Sequence, residues 1–137
     1  MTARAFIDTN VLLYAGSQHP DEQTKRAVAL ELLKQPGLGF STQVMAEYFN
    51  AAYTKGRLGI SFEVAVENLR ILASKTVLAV TPELVIKATA LAKRYQISYY
   101  DAAILAAATE LGCDTVYTED LNHGQKYGTV KAVNPFL

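Results

Sequence analysis

Residues 5–14, Ala5-Phe6-Ile7-Asp8-Thr9-Asn10-Val11-Leu12-Leu13-Tyr14, run from an apolar strand through a carboxylate into a second apolar segment. An acid that closes a strand and opens a helix marks a strand-to-helix turn, the device by which parallel α/β sheets bring polar groups to one edge. The pattern recurs in Thr115-Val116-Tyr117-Thr118-Glu119-Asp120, a second short strand with acids at its tip. Two further acids, Glu47 and Asp101, fall within segments that otherwise read as apolar helices. Burying an unpaired carboxylate is costly or forces it to protonate, so acids in such settings need a cation or a basic partner. No Lys or Arg adjoins any of the four in sequence, which makes a divalent cation the simplest compensator.

The 137 residues, half of them hydrophobic, suit one domain with a full core. A single cysteine, Cys113, excludes an internal disulfide, and with only two histidines a structural zinc site is not expected. Cys113 reads as a small core residue. The start, Met-Thr-Ala-Arg, passes directly into a strand without a signal-peptide pattern, and no apolar stretch is long enough to span a bilayer, so a soluble cytoplasmic protein is expected. Thirteen basic and thirteen acidic residues cancel. That argues against a general electrostatic nucleic-acid binder, but not against an enzyme whose acidic site changes sign when metal binds.

Periodicity gives strands at residues 3–8, 38–41, 76–80, 115–118 and 130–133, alternating with helices at 21–35, 42–55, 61–74, 83–95 and 98–111. Ser41 or Thr42 and Ser61 are expected caps, Pro36-Gly37, Gly56 and Gly112 expected stops, and Pro82 suits a first helical turn. Such alternation implies a mostly parallel sheet covered on both faces, an α/β/α sandwich formed by one domain spanning residues 1–137.

In an open parallel sheet, ligands bind beyond the carboxyl ends of the strands. Asp8 and Asp120 end two strands. Glu47 lies early in the helix that follows the strand at 38–41, and Asp101 lies in the first turn of the helix that feeds the strand at 115–118. All four are therefore expected on one rim. Each also has a bland reading: a turn-forming Asp for Asp8 and Asp120, a solvated helix edge for Glu47, and a favourable helix-dipole position for Asp101. Their convergence favours the functional one.

FIDTN, the acid in STQVMAEYFN, SYYDAAILAAA and VYTEDLNHGQ together resemble a PIN-domain ribonuclease, and the last string is similar to versions in VapC-type toxins of bacterial toxin–antitoxin pairs. The resemblance extends from Phe6 to Phe136. It implies a parallel-sheet α/β/α fold and Mg²⁺- or Mn²⁺-dependent endonucleolytic cleavage of RNA. Asp8, Glu47, Asp101 and Asp120 would be the catalytic and metal-binding acids, supported by Thr9, Asn10 and Thr118, and a cognate antitoxin would be the partner. Glu119 is an alternative to Asp120 at the strand tip.

Phosphodiester hydrolysis needs an activated water, a neutralised phosphate and a stabilised leaving oxygen, which one or two carboxylate-held ions can supply. All-oxygen ligands favour Mg²⁺ or Mn²⁺ over zinc. Asp8 and Asp101 are expected as direct ligands, with Glu47 and Asp120 completing the sphere. Thr9 and Asn10 read as caps of the helix behind Asp8, and Thr118 as either a supporting group or an ordinary sheet residue. Lys55, Arg57, Lys93-Arg94 and Lys126 are candidate phosphate contacts, Tyr48 and Tyr99-Tyr100 candidate stacking groups, and His123 a candidate general acid, though solvated surface or core packing suits each of them too. Apolar groups on residues 42–74, among them Tyr48, Phe49, Tyr53 and Phe62, predict an interface and a homodimer. A receiver-type phosphoryl-transfer domain also gathers acids at strand ends, but no Asp-x-Asp accompanies Asp8. A non-toxin RNA-processing nuclease and a catalytically silent binding module stay open as alternatives.

Overall fold

The computed structural model describes residues 1–137. Six strands, β1 (Ala5–Ile7), β2 (Leu38–Ser41), β3 (Thr76–Leu78), β4 (Thr115–Tyr117), β5 (Lys126–Tyr127) and β6 (Val130–Val133), form one sheet in the order β3-β2-β1-β4-β6-β5. All pairings are parallel except the β5–β6 hairpin. The helices are α1 (Thr9–Gly16), α2 (Gln23–Leu33), α3 (Thr42–Thr54), α4 (Phe62–Ala73), α5 (Pro82–Tyr95) and α6 (Tyr99–Glu110). Helix α1 packs on α2 and α3, and α3 on α4; α5 packs on α6, which lies against β2, β4 and β6. The result is the expected α/β/α sandwich.

Local chemistry sets the element ends. Ser41, Ser61, Thr81 and Ser98 each accept a backbone N–H from the first turn of α3, α4, α5 and α6, the usual use of a short hydroxyl side chain at a helix start. Ser41 rather than Thr42 caps α3. The strand expected at residues 3–8 is shorter, because Ala3 N–H bonds to the Leu111 carbonyl instead of to a neighbouring strand. The segment beginning at 21 opens as a 3₁₀ turn at Pro20–Glu22 before α2. Another 3₁₀ turn at Gly56–Leu58 and strand β5 lack the periodicity that would announce them. Gly39 is required in β2: a Cβ there would sit 2.7 Å from Ala3 Cβ and 2.9 Å from Leu111 Cδ1.

Helix α6 is the centre of the core. Residues Ala102 to Ala108 are all buried, and its small side chains let it lie close on the sheet. Cys113 is buried beside its C-terminal end, as expected, and burial pushes its thiol up to about 11. No helix is long and apolar enough to cross a membrane.

The chain fills the sheet from β1 outward through β2 to β3, then returns to place β4 on the other side of β1. The crevice beyond the carboxyl ends of β1 and β4 is thus a topological switch point, the place where open α/β sheets bind ligands. Strand pairing sets Ile7 opposite Tyr117 there, so the residues that follow, Asp8 and the Thr118–Asp120 turn, emerge side by side.

Candidate active site

Asp8 is buried, 6% exposed, and its carboxylate is fully engaged by neutral donors. Thr9 N–H donates to Oδ1 at 2.7 Å, the Thr118 hydroxyl to Oδ2 at 2.8 Å, and the Asn10 side-chain amide to Oδ2 at 3.4 Å. The cap of α1 is therefore Asp8 itself. This corrects the expectation that Thr9 and Asn10 cap the helix: both lie in its first turn, and Thr9 Oγ1 and Asn10 Oδ1 are buried without a hydrogen-bond partner. The Asn10 amide also donates to Asp120 Oδ2 at 3.1 Å and approaches Thr118 Oγ1 at 3.3 Å. Thr118 Oγ1 accepts the Asp120 N–H at 3.0 Å. Thr118 is thus a brace between the two strand-end acids, buried and closed to solvent.

Glu47 and Asp101 are half-buried, and the Gln43 side-chain amide links Glu47 to the backbone beside Asp101, donating to Glu47 Oε1 at 2.8 Å and to the Tyr100 carbonyl at 3.2 Å. Gln43 thereby ties α3 to the first turn of α6. Burial drives the Asp8 carboxyl from 3.8 up to about 7, against the Thr118 and Thr9 hydrogen bonds, and the charges of Asp120 and Glu47 push the same way. Burial also raises Asp101, opposed by its bond to Ser98 and reinforced by Asp120. The four expected acids share one rim and one electrostatic field.

They do not form a closed cage, since no three carboxylates converge as a ready ligand group. The residues nonetheless fit a hard divalent cation. The donors are all oxygen, a buried carboxylate has no basic partner, and two orphaned oxygens flank it. None of Asp8, Glu47, Asp101 or Asp120 enters an ion pair.

Beside the acids lies a groove of about 430 Å³ with Thr9, Asn10, Glu47 and Asp120 at one end and Asn50, Thr54, Lys55 and Arg57 along α3 and the turn after it. Arg57 donates to Glu22 at 2.6 Å. Although burial opposes it, bonds from Arg57 and Ser17 hold the Glu22 carboxyl below its ordinary range. Glu119 also lines the groove but has its own partners: Tyr14 donates to its Oε1 at 2.6 Å and Lys25 to its Oε2 at 3.0 Å. The Tyr14 and Glu119 contacts hold the Lys25 amine above its usual range.

The other candidates fall elsewhere. Tyr48 is buried and accepts from Asn68, which removes it as a stacking group; Tyr100 is exposed and edge-on to Tyr99. His123 Nδ1 accepts the Asn134 N–H, an ordinary loop contact. Lys93, Arg94 and Lys126 are exposed and do not line the groove, whereas Lys55 and Arg57 do. Gln43, Tyr14 and Lys25 were not singled out from the sequence. Gln43 lies one turn before Glu47, a spacing that signals contact; Tyr14 and Lys25 meet Glu119 only through the fold.

The Asp8 environment has a thermodynamic consequence in chelator. An unfolded Asp titrates near 4, so between that pH and about 7 the folded protein retains a proton that the unfolded chain has lost. Stability from this group is complete below about 4, falls as pH rises, and reaches a deficit of up to roughly 4 kcal/mol above about 7. The metal-free protein is expected to melt at a lower temperature at pH 8 than at pH 5.5, and Asp8→Asn to flatten that dependence. Thermal melts at both values check it; a wild-type melting point that climbs with pH would refute the assignment.

The family model described as PIN domain matches residues 5–128. No curated protein sequence is significantly similar to the chain. Among solved structures, a toxin-antitoxin complex from Klebsiella pneumoniae superposes with a TM-score of 0.69 at 20% identity, covering 96% of this chain and 97% of that one. VapC20 of Mycobacterium tuberculosis, described as a sarcin-ricin loop cleaving toxin, gives 0.67 at 23% identity over 85% and 89%. FitAcB from Neisseria gonorrhoeae gives 0.66 at 20% identity over 96% and 98%. These likenesses establish a shared fold, and the match across nine-tenths of the sequence establishes more: the chain belongs to the PIN domain family.

Proposed function

We propose that the chain is a single-domain, Mg²⁺- or Mn²⁺-dependent endoribonuclease and the toxin of a cytoplasmic toxin–antitoxin pair. The observation that carries the reading is the set of four acids at the switch point, one of them buried, three of them oriented by neutral donors and none ion-paired. Membership of the PIN family and the fold shared with a sarcin-ricin loop cleaving toxin support RNA as substrate. The fold shared with a toxin-antitoxin complex supports a protein antitoxin as partner, one that would block the site with a basic side chain among the acids.

Asp8 and Asp101 would hold the metal directly, with Glu47 and Asp120 completing its sphere or orienting the attacking water. A bound Mg²⁺ or Mn²⁺ would supply an activated water, a neutralised phosphate and a stabilised leaving oxygen. The protein's own part is positional. Thr9 N–H and Thr118 fix the Asp8 carboxylate, the Asn10 amide holds Asp8 and Asp120 in register, and Gln43 fixes Glu47 against the α6 terminus. Lys55 and Arg57 would receive the phosphates flanking the scissile bond, since Thr54 stands about 10 Å along α3 from Glu47 at 1.5 Å per residue and both cations follow it.

Cleavage of single-stranded RNA is expected only with Mg²⁺ or Mn²⁺, and Asp8→Asn or Asp101→Asn should lower it by more than about a hundredfold while the protein stays folded. Undiminished cleavage by either folded variant, or full activity in excess chelator, rules out the mechanism. Cleavage that is metal-dependent but leaves growth unaffected on expression would favour a processing nuclease over a toxin.

RNA binding by the inactive Asp8→Asn protein tests the groove. Replacing Lys55 and Arg57 together by Ala should reduce the slope of log affinity against log salt by about 1.4, at roughly 0.7 per phosphate contact on a single strand. Fluorescence anisotropy gives the slope, and an unchanged slope would remove both residues from the RNA path.

A homodimer is part of the proposal. Tyr53 and Phe62 are 66% and 54% exposed and form an aromatic cluster with Phe49. Apolar surface of this kind marks an interface. Light scattering of the purified protein at high micromolar concentration should give twice the mass of the 14.9 kDa chain, and a monomer there would refute it.

A further inference from the structure

Two acids, Glu119 and Asp120, follow β4, and both line the groove. Asp120 faces Asn10. Glu119, on the wall of the same groove, is held in a closed triangle: the Tyr14 hydroxyl donates to its Oε1 at 2.6 Å, Lys25 Nζ donates to its Oε2 at 3.0 Å, and the same Nζ donates to Tyr14 Oη at 3.1 Å. Both carboxylate oxygens are thereby occupied. The ammonium is itself held in place, 4.6 Å from the centre of the Tyr14 ring and 5.5 Å from that of Phe136, which packs edge-on against Tyr14 at 4.9 Å.

The Lys25 and Glu119 side chains are 41% and 24% exposed, and ion pairs that open to water add little to stability. The use of the triangle is geometric. Tyr14 belongs to α1, the helix whose first N–H, from Thr9, holds the Asp8 carboxylate, so the β4 tip is tied to the element that the buried acid caps. We propose that Lys25 and Tyr14 are positioning residues that hold Glu119 out of the metal site and leave Asp120 as the acid β4 presents to it. This rests on the nuclease reading given above. Lys25 replaced by a neutral side chain leaves Glu119 uncompensated next to Asp120, free to swing to the rim and compete for the cation.

Calorimetric titration with Mn²⁺ and steady-state RNA cleavage would be run on wild type, Lys25→Met, Lys25→Arg, Tyr14→Phe and the double variant Lys25→Met/Glu119→Gln. Lys25→Met is expected to tighten Mn²⁺ binding several-fold, because a free carboxylate joins the field, while lowering kcat by about tenfold with little change in KM. Tyr14→Phe should act in the same direction but less, and Lys25→Arg should keep most of the wild-type behaviour. The decisive result is the double variant, in which removing the stray charge returns Mn²⁺ affinity and kcat toward wild type. A folded Lys25→Met protein with wild-type Mn²⁺ affinity and kcat overturns the proposal, and so does a double variant no better than the single. Wild-type protein that binds no Mn²⁺ overturns the nuclease reading itself, a failure distinct from either.

Discussion

The carboxylate of Asp8 sits at the end of the central strand with almost no contact with water, and its surroundings are arranged to hold it there. A buried acid either protonates or is stabilised by donors and cations. Here the donors come first, from Thr9 N–H, Thr118 and Asn10. They lower the cost without removing it, since burial still drives the group to about 7. That residual cost links fold to function: the apo protein bears a penalty that a bound cation would offset.

The rim around Asp8 is assembled by four routes of unequal stiffness. Asp8 and Thr118 issue directly from adjacent strands, and their mutual hydrogen bond is fixed by the β1–β4 register. Asp101 is set by the start of α6, a helix buried through its middle from Ala102 to Ala108 and capped by Ser98. Glu47 depends on a side-chain contact, from Gln43, and Asp120 is exposed, held through Asn10 and its own N–H. Rigid acids beside adjustable ones account for a rim that shares one field without forming a finished cage.

Much of this was legible in the sequence because the rules involved are local. An apolar strand that ends on an acid, a Ser or Thr before a helical period, and a glycine after one are read within a few residues, and they placed five of the six strands and the four acids on one edge. Helix α6 shows its burial in composition alone, being apolar on every side. What escaped the reading is relational. That Asp8 caps its own helix, leaving Thr9 and Asn10 with free oxygens, depends on how deeply β1 is buried. Strand β5 is two residues long and exists only by pairing with β6. Strand alternation separates Glu119 from Asp120 but leaves an exchange at the strand tip open, and the partner that engages Glu119, Lys25, is 94 residues away in sequence.

The distribution of cations in the site has the same logic. Within the groove and at its edge the chain places Lys25, Lys55 and Arg57, enough to neutralise several acids. In the free protein Arg57 pairs with Glu22 and Lys25 with Glu119, the acids outside the proposed metal set. The carboxylates of Asp8, Glu47 and Asp120 receive amides, a hydroxyl and a backbone N–H instead, and Asp101 is placed by its own N–H on the Ser98 hydroxyl. An ion pair at any of these four would stabilise the free protein, yet metal binding would then have to break it, and the affinity would fall by the strength of the pair. Neutral donors orient a carboxylate while leaving its charge available. Pairing the bystanders and leaving the four uncompensated concentrates the negative field where an incoming cation would sit, at a cost in apo stability that the buried Asp8 carries most heavily.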